Sequence, residues 1–60
     1  MNMKLKVAVL QSGKSQCQVA RQAGIADCYL SRVIHGWVSP GADVKHRIAS
    51  ALGLQVEEIF

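Results

Sequence analysis

The sequence of 60 residues has little of what marks a membrane, secreted or disulfide-rich protein. Its longest apolar run, Val7 to Leu10, has only four residues, far fewer than the ~20 that span a bilayer. Two lysines near the start are followed by no long apolar stretch, so we expect no secretory signal. Two cysteines are too few for a disulfide scaffold, and we therefore expect a reducing, cytoplasmic setting.

The composition indicates a small folded domain with a basic surface. Half of the residues are hydrophobic and 18% are charged, which excludes an intrinsically disordered chain. Seven Lys and Arg against four Asp and Glu give a net charge of +3, which favours an anionic partner. A chain of this length forms one domain, here residues 1–60, and buries only ~60% of the surface that it exposes when unfolded.

The glycines divide the chain into pieces of about ten residues, which suit short helices and are too short for βαβ units. Residues 4–12 are ambiguous, because Leu5, Val7 and Val9 alternate as in a strand while Leu5 and Val9 also share a helical face. Ser15 and Gln18 form a capping box that predicts a helix over about 16–23.

Three more helices complete an all-α prediction. Gly24 and Gly36 bound a helix over about 27–35 whose apolar residues recur at helical spacing. Pro40-Gly41 opens a fourth helix that ends at Gly53, and residues 56–60 form a last short turn that closes the core. The polar face of the third helix carries Asp27, Cys28, Ser31, Arg32 and His35.

Two other kinds of site, a phosphate loop and a zinc site, match the sequence only in part. Residues 8–15 match a looser phosphate-loop pattern, but the chain has no room for the parallel sheet that such a loop needs. We interpret this segment as a corner between two helices, with Ser15 as N-cap.

The chain has enough cysteines and histidines for a zinc site, but they lie too far apart in the sequence for one. These residues are Cys17, Cys28, His35 and His46.

The only tryptophan, Trp37, follows Gly36 in a predicted loop. A lone aromatic residue there could stack on a ligand or a partner, but more often it covers the core. We expect Trp37 to cover the core, Cys17 to be half-buried and Cys28 to lie on the surface.

The predicted second and third helices form a helix-turn-helix. Small Ala20 lets two helices cross closely, and Gly24 permits the sharp corner between them. This motif projects its second helix into the major groove of DNA.

The residues around this corner carry a resemblance to a known family. They are Gln16-x-Gln18-Val19-Ala20-x-x-Ala23-Gly24-Ile25, then Tyr29-Leu30-Ser31-Arg32-Val33-x-x-Gly36, and then Pro40. The chain resembles the phage-repressor (Cro-type, xenobiotic-response-element) helix-turn-helix family from about Leu5 to Phe60. The resemblance implies a compact five-helix, lambda-repressor-like domain that binds double-stranded operator DNA, generally as a homodimer on a palindromic site.

The resemblance also implies which residues meet DNA. Those expected to face base edges are Ala26, Asp27, Cys28, Ser31 and Arg32. Those expected to contact the phosphate backbone are Lys14, Ser15, Gln16, His35 and Gly41. No catalytic residue, metal, cofactor, small-molecule ligand or membrane partner is expected.

Five residues depart from the family pattern. Lys14 stands where the family is usually apolar, so it either changes the packing of the first corner or gives its charge to DNA. Phosphates repel Asp27, and Cys28 makes only weak hydrogen bonds. Val9 and Ile34 stand where many members place an Arg–Glu pair, and we expect the two to touch in the core, since buried pairs are often no more stable than apolar packing.

The sequence therefore predicts a Cro-like repressor, a sequence-specific DNA-binding regulator without enzymatic activity that acts in the cytoplasm on the nucleoid. A second hypothesis is a protein-interaction module on the same fold, such as an antitoxin or an assembly adaptor. The modest net charge and the acidic Asp27 keep this second hypothesis open.

Overall fold

Five helices without any strand make up the protein, and the computed structural model describes all of residues 1–60. The ambiguous segment 4–12 is helical, so the all-α prediction is confirmed. None of the helices is both long and apolar enough to cross a membrane. The helices are α1 (Met3–Gln11), α2 (Gln16–Ala23), α3 (Asp27–His35), α4 (Ala42–Leu52) and α5 (Val56–Ile59).

Helix α2 begins and ends, and helix α3 ends, where their capping residues predict. The Ser15 hydroxyl accepts from the Gln18 amide at 3.2 Å, and the Gln18 side-chain oxygen accepts from the Ser15 amide at 2.9 Å. Gly24 ends α2 with φ +73° and Gly36 ends α3 with φ +79°, left-handed values that a residue with a side chain adopts at a cost.

The core is aliphatic, and every helix contributes to it. No polar or charged side chain is buried. The largest fully buried side chains, one from each helix, are Leu5, Val19, Leu30, Ile48 and Ile59. Val9 and Ile34 are 7% and 5% exposed and belong to the same buried cluster, so both positions are apolar core positions as predicted. Val44, Ala51 and Leu52 pack against this cluster from α4 while staying partly exposed.

Asn2 holds three parts of the fold together. Its side-chain oxygen caps α1 by accepting from the Leu5 amide at 3.0 Å. Its side-chain nitrogen donates to the Ile59 carbonyl at 2.7 Å, and its backbone amide donates to the Ile34 carbonyl, also at 2.7 Å. One residue therefore ties the start of α1 to the ends of α3 and α5.

The corner between α1 and α2 is a helical connection and not a phosphate loop. Helix α1 occupies the place of the strand that such a loop would follow. Gly13 turns the chain with φ +76°, and Ser15 caps α2. The Lys14 ammonium donates to the Ala51 carbonyl and to the Gln22 side chain, both at 2.8 Å. A cation at the end of α4 interacts favourably with the helix dipole, so Lys14 packs the corner against α4.

Candidate nucleic-acid interface

Helix α3 is divided into a buried apolar face and an open polar face. Leu30, Val33 and Ile34 are 0%, 3% and 5% exposed and fix α3 against the rest of the fold. The opposite face carries the side chains expected to meet base edges. Along it, Asp27, Cys28, Arg32 and His35 are exposed, Ser31 is half-buried, and the N-cap residue Ala26 is exposed.

Arg32 is the cation of this face that is free to bind an external group. The one ion pair in the chain joins Asp43 to Arg47 at 3.1 Å on α4. The Arg32 guanidinium therefore has no carboxylate partner within the chain. Because a guanidinium presents a planar set of donors, it can pair with two acceptors at once.

The starts of α2 and α3 lie close together. The Gln16 side-chain amide donates to an Asp27 carboxylate oxygen at 3.3 Å. Asp27 lies in the first turn of α3, where a negative charge favours the helix dipole. This contact occupies one of the acceptor positions of the Asp27 carboxylate. It also joins Gln16, which is expected to contact phosphate, to Asp27, which is expected to contact a base.

Two helix starts leave backbone amides open to an anion. In the first turn of α2, the amides of Gln16 and Cys17 have no acceptor within the chain. Gly41 precedes α4 without any side-chain cap, and it is exposed. Open amides at a helix start, together with the positive end of the dipole, attract phosphate oxygens. The Ser15 hydroxyl is already engaged in the capping box.

The rings of His35 and Trp37 lie side by side at the end of α3, tilted relative to each other. Their ring centroids lie 5.0 Å apart at an interplanar angle of 31°. The Nδ1 of His35 lies 2.7 Å from the Ser31 carbonyl, which can only accept, so Nδ1 carries a proton and Nε2 points to the other side of the ring. Trp37 is 73% exposed. The expectation that it covers the core is therefore wrong, because Gly36 turns the chain away from the apolar face of α3.

The structure assembles no metal site. Cys17 and Cys28 are both free and exposed, which corrects the expectation that Cys17 is half-buried. Position 17 lies on the outer side of α2, opposite the buried Val19, Ala20 and Ala23. No three Cys, His, Asp or Glu side chains come together as ligands.

Of the ten residues expected to meet DNA, seven are exposed, and the side chains of five make hydrogen bonds within the chain. The Lys14 ammonium donates to groups on α2 and α4, and the Ser15 hydroxyl accepts a hydrogen bond as the N-cap of α2. Trp37, which was not included among them, is an exposed aromatic beside His35. Protein-family models, curated proteins and solved structures give no significant match to this chain.

Proposed function

We propose that this chain is a sequence-specific DNA-binding regulator, a Cro-like repressor whose α2 and α3 act as a helix-turn-helix. The observation that carries the proposal is the open polar face of α3, which is fixed from behind by three buried aliphatic residues. A helix held in this way can enter the major groove, which is wide enough for one α-helix, without exposing its apolar face.

The connection between α2 and α3 supports this assignment. Only three residues, Gly24 to Ala26, separate the two helices. The Ile25 amide donates to the Ala20 carbonyl at 3.0 Å, which closes the end of α2 around the left-handed Gly24. Ala20 is 1% exposed, and its small side chain leaves room for the close crossing that the motif requires.

The hydrogen-bond donors of the polar surface suit binding to the major groove and to the phosphates on its sides. The open amides of Gln16 and Cys17 and the uncapped start of α4 at Gly41 offer neutral donors to phosphates. Arg32 then supplies the base contact, since it is the residue of the α3 face able to grip a guanine O6/N7 edge with two donors. Asp27 either accepts from a cytosine amine or weakens binding through its charge.

The experiment selects bound sites from a random duplex pool and measures affinity for the selected and for random DNA. Arg32→Ala should weaken binding to the selected site by roughly 5- to 150-fold, from about 1–3 kcal/mol for one bidentate contact. Binding to random DNA should fall much less. Arg21→Ala is the matched control, since it removes an exposed arginine from α2. Equal losses for both kinds of DNA would make Arg32 a phosphate contact, and a pool without enrichment would refute the proposal.

Salt dependence gives a second measurement on the same samples. Each neutralised phosphate adds about 0.9 to the slope of log affinity against log salt. The only ion pair of the fold, Asp43–Arg47, is exposed and contributes little to stability. Salt should therefore change DNA binding while leaving the folded state unchanged, which circular dichroism on the same titration checks.

The exposed apolar residues favour a second candidate, a protein-interaction module. Met3, Val7 and Leu10 are 57%, 40% and 72% exposed on the outer side of α1, and large exposed apolar side chains that cluster mark interaction surfaces. DNA binding that is absent or insensitive to salt, together with tight binding to another protein, would favour this candidate over the first.

A further inference from the structure

A cavity of about 280 Å³ lies where α1, the corner between α1 and α2, and the end of α3 meet. Its residues come from distant parts of the chain, so no sequence motif predicts it. The residues that line it are Met1, Lys6, Val9, Leu10, Lys14, Ser15, Gln16, Ile34 and His35. Sites for small ligands are concave places where an apolar surface and a few polar groups converge, and this cavity has that form.

The floor of the cavity is aliphatic. Val9 and Ile34 are 7% and 5% exposed and belong to the core cluster, so the cavity reaches the packed interior. Leu10 borders it from α1 and is 72% exposed. Burial of apolar surface favours association in water. An apolar group of a ligand that covers these three side chains would therefore be held there.

The charged side chains that line the cavity are both lysines, and no aspartate or glutamate lines it. Lys6 is exposed and has no carboxylate partner, because the one ion pair of the chain joins Asp43 to Arg47. The Lys14 ammonium donates only to neutral acceptors on α2 and α4, so its charge is not neutralised either. A ligand with one negative charge therefore meets two positive charges and no opposing one.

The larger groove of the molecule does not select a charge in this way. Its volume is about 450 Å³, and residues of α1 and α5 line it. Lys4 and Glu58 are both among them. Because charges of both signs lie on its walls, this groove favours neither an anion nor a cation. Charge of one sign beside an aliphatic floor is thus a property of the smaller cavity.

We propose that the smaller cavity binds a carboxylic acid whose apolar body covers Val9, Leu10 and Ile34 and whose carboxylate lies near Lys6. Its volume is just below the roughly 300–1,000 Å³ of sites for drug-sized ligands. The ligand is therefore smaller than these, with a single ring or one short branched chain. The proposal replaces the expectation from the sequence that no small molecule binds.

Occupancy of the cavity should lower the affinity for DNA, a consequence that rests on the proposed function. Four of the lining residues are among those expected to contact the phosphate backbone, namely Lys14, Ser15, Gln16 and His35. A carboxylate near Lys6 places a negative charge beside that path, and like charges repel. The acid would then be an effector that releases DNA.

Binding is tested first on the full chain without DNA, by an amide NMR titration with phenylacetate. Amide signals of the lining residues should shift and saturate with a Kd between about 10 μM and 1 mM, as suits a ligand of about ten non-hydrogen atoms. Acetate keeps the carboxylate without the ring, and phenylacetamide keeps the ring without the charge. Each of these two should bind several-fold more weakly than phenylacetate.

Variants on one helix test the site with matched controls. Lys6→Gln should weaken phenylacetate binding several-fold, whereas Lys4→Gln removes an exposed lysine of α1 from outside the cavity and should leave it unchanged. Leu10→Gln should also weaken binding, because it places an amide beside the ring. Met3→Gln is its control, since Met3 is exposed on α1 and does not line the cavity. All four positions are exposed, and circular dichroism checks that the variants are folded.

DNA release is measured next, on the site selected from the random duplex pool. Phenylacetate should lower the affinity for this site, whereas acetate at the same concentration controls for salt and should have less effect. The effect of phenylacetate should be lost in Lys6→Gln. Phenylacetate that binds the free protein but leaves DNA affinity unchanged would overturn the effector role.

Three results of the NMR titration would overturn the proposal itself. The shifts could be absent or could fail to saturate. Acetate could bind as tightly as phenylacetate, which would make the cavity a simple contact for anions. Lys4→Gln could weaken binding as much as Lys6→Gln does, which would place the carboxylate elsewhere. A random pool without enrichment refutes DNA binding alone, because the titration contains no DNA.

Discussion

Asn2→Ala should destabilise the fold far more than a change at an exposed chain end usually does. The substitution removes the oxygen that caps α1 at the Leu5 amide and the nitrogen that donates to the Ile59 carbonyl. The backbone bond from residue 2 to the Ile34 carbonyl stays, because it needs no side chain. The variant therefore isolates two side-chain hydrogen bonds at the point where three helices meet.

The magnitude follows from these two bonds. Replacing an asparagine N-cap by alanine costs about 1 kcal/mol, and a net side-chain hydrogen bond contributes about 1 kcal/mol more. The sum, about 2 kcal/mol, is large for a domain of this size, whose core seldom supplies more than about 3–5 kcal/mol. With roughly 4–8 °C for each kcal/mol in small domains, the Tm should fall by roughly 8–16 °C.

Thermal unfolding followed by far-UV circular dichroism measures this shift. Asn2→Ser is the matched control, since a serine hydroxyl can still cap α1 but does not reach as a donor to Ile59. We expect Asn2→Ser to lose about half of what Asn2→Ala loses. An Asn2→Ala protein that melts within about 2 °C of the wild type would refute the role of Asn2 as the link between the three helices.

Three further predictions concern the core, the α3 face and the first corner. Ile34→Glu leaves a buried carboxylate unpaired and should cost about 3–5 kcal/mol, while adding Val9→Arg should restore most of the Tm; an Ile34→Glu protein that melts like the wild type would place Ile34 at the surface. Asp27→Asn should raise affinity for random DNA in a gel shift and slightly lower the Tm, since it removes a favourable charge from the first turn of α3; weaker binding to all DNA would make Asp27 a base contact. Ser15→Ala should cost about 1 kcal/mol in chemical denaturation through the lost cap on α2, and an unchanged midpoint would contradict that cap.

The parts of the fold that depend on local chemistry could be predicted from the sequence. Ser15 and Gln18 form a capping box whatever surrounds them, and Gly24 and Gly36 end helices because they accept a left-handed φ. Such signals act between residues a few positions apart. Both ends of α2 and the end of α3 could therefore be predicted from such signals, whereas the start of α3 at Ala26 has no side-chain cap.

Helix α1 was ambiguous for a physical reason that the structure makes clear. Sequence periodicity reports one apolar face, but α1 has two, with Leu5 and Val9 inside and Val7 and Leu10 outside. Because apolar residues lie on both sides of α1, the sequence shows no 3.6-residue periodicity there. Leu5, Val7 and Val9 then alternate as the residues of a strand would. The packing of Leu5, Ala8 and Val9 in the core distinguishes the inner face from the outer one.

Contacts between distant residues were not predictable. Asn2 reaches Ile59, and Lys14 reaches the end of α4 at Ala51. Nothing near either residue in sequence indicates such a partner. Lys14 shows the consequence for the candidate site: of the two roles predicted for it, packing of the first corner or a contact to DNA, its hydrogen bonds to Gln22 and Ala51 support the packing role. Which residues share the polar face of α3, by contrast, depends only on the helical period and could be predicted.

The position of Trp37 separates two spectroscopic signals that overlap in most small proteins. Its indole is 73% exposed and packs only beside the His35 ring, so unfolding moves it from one aqueous surrounding to another. Tryptophan emission should therefore change little through thermal denaturation. A partner that covers the end of α3 would instead remove the indole from water and shift its emission. The single tryptophan thus reports occupancy of that surface and is nearly silent about the folding of the core.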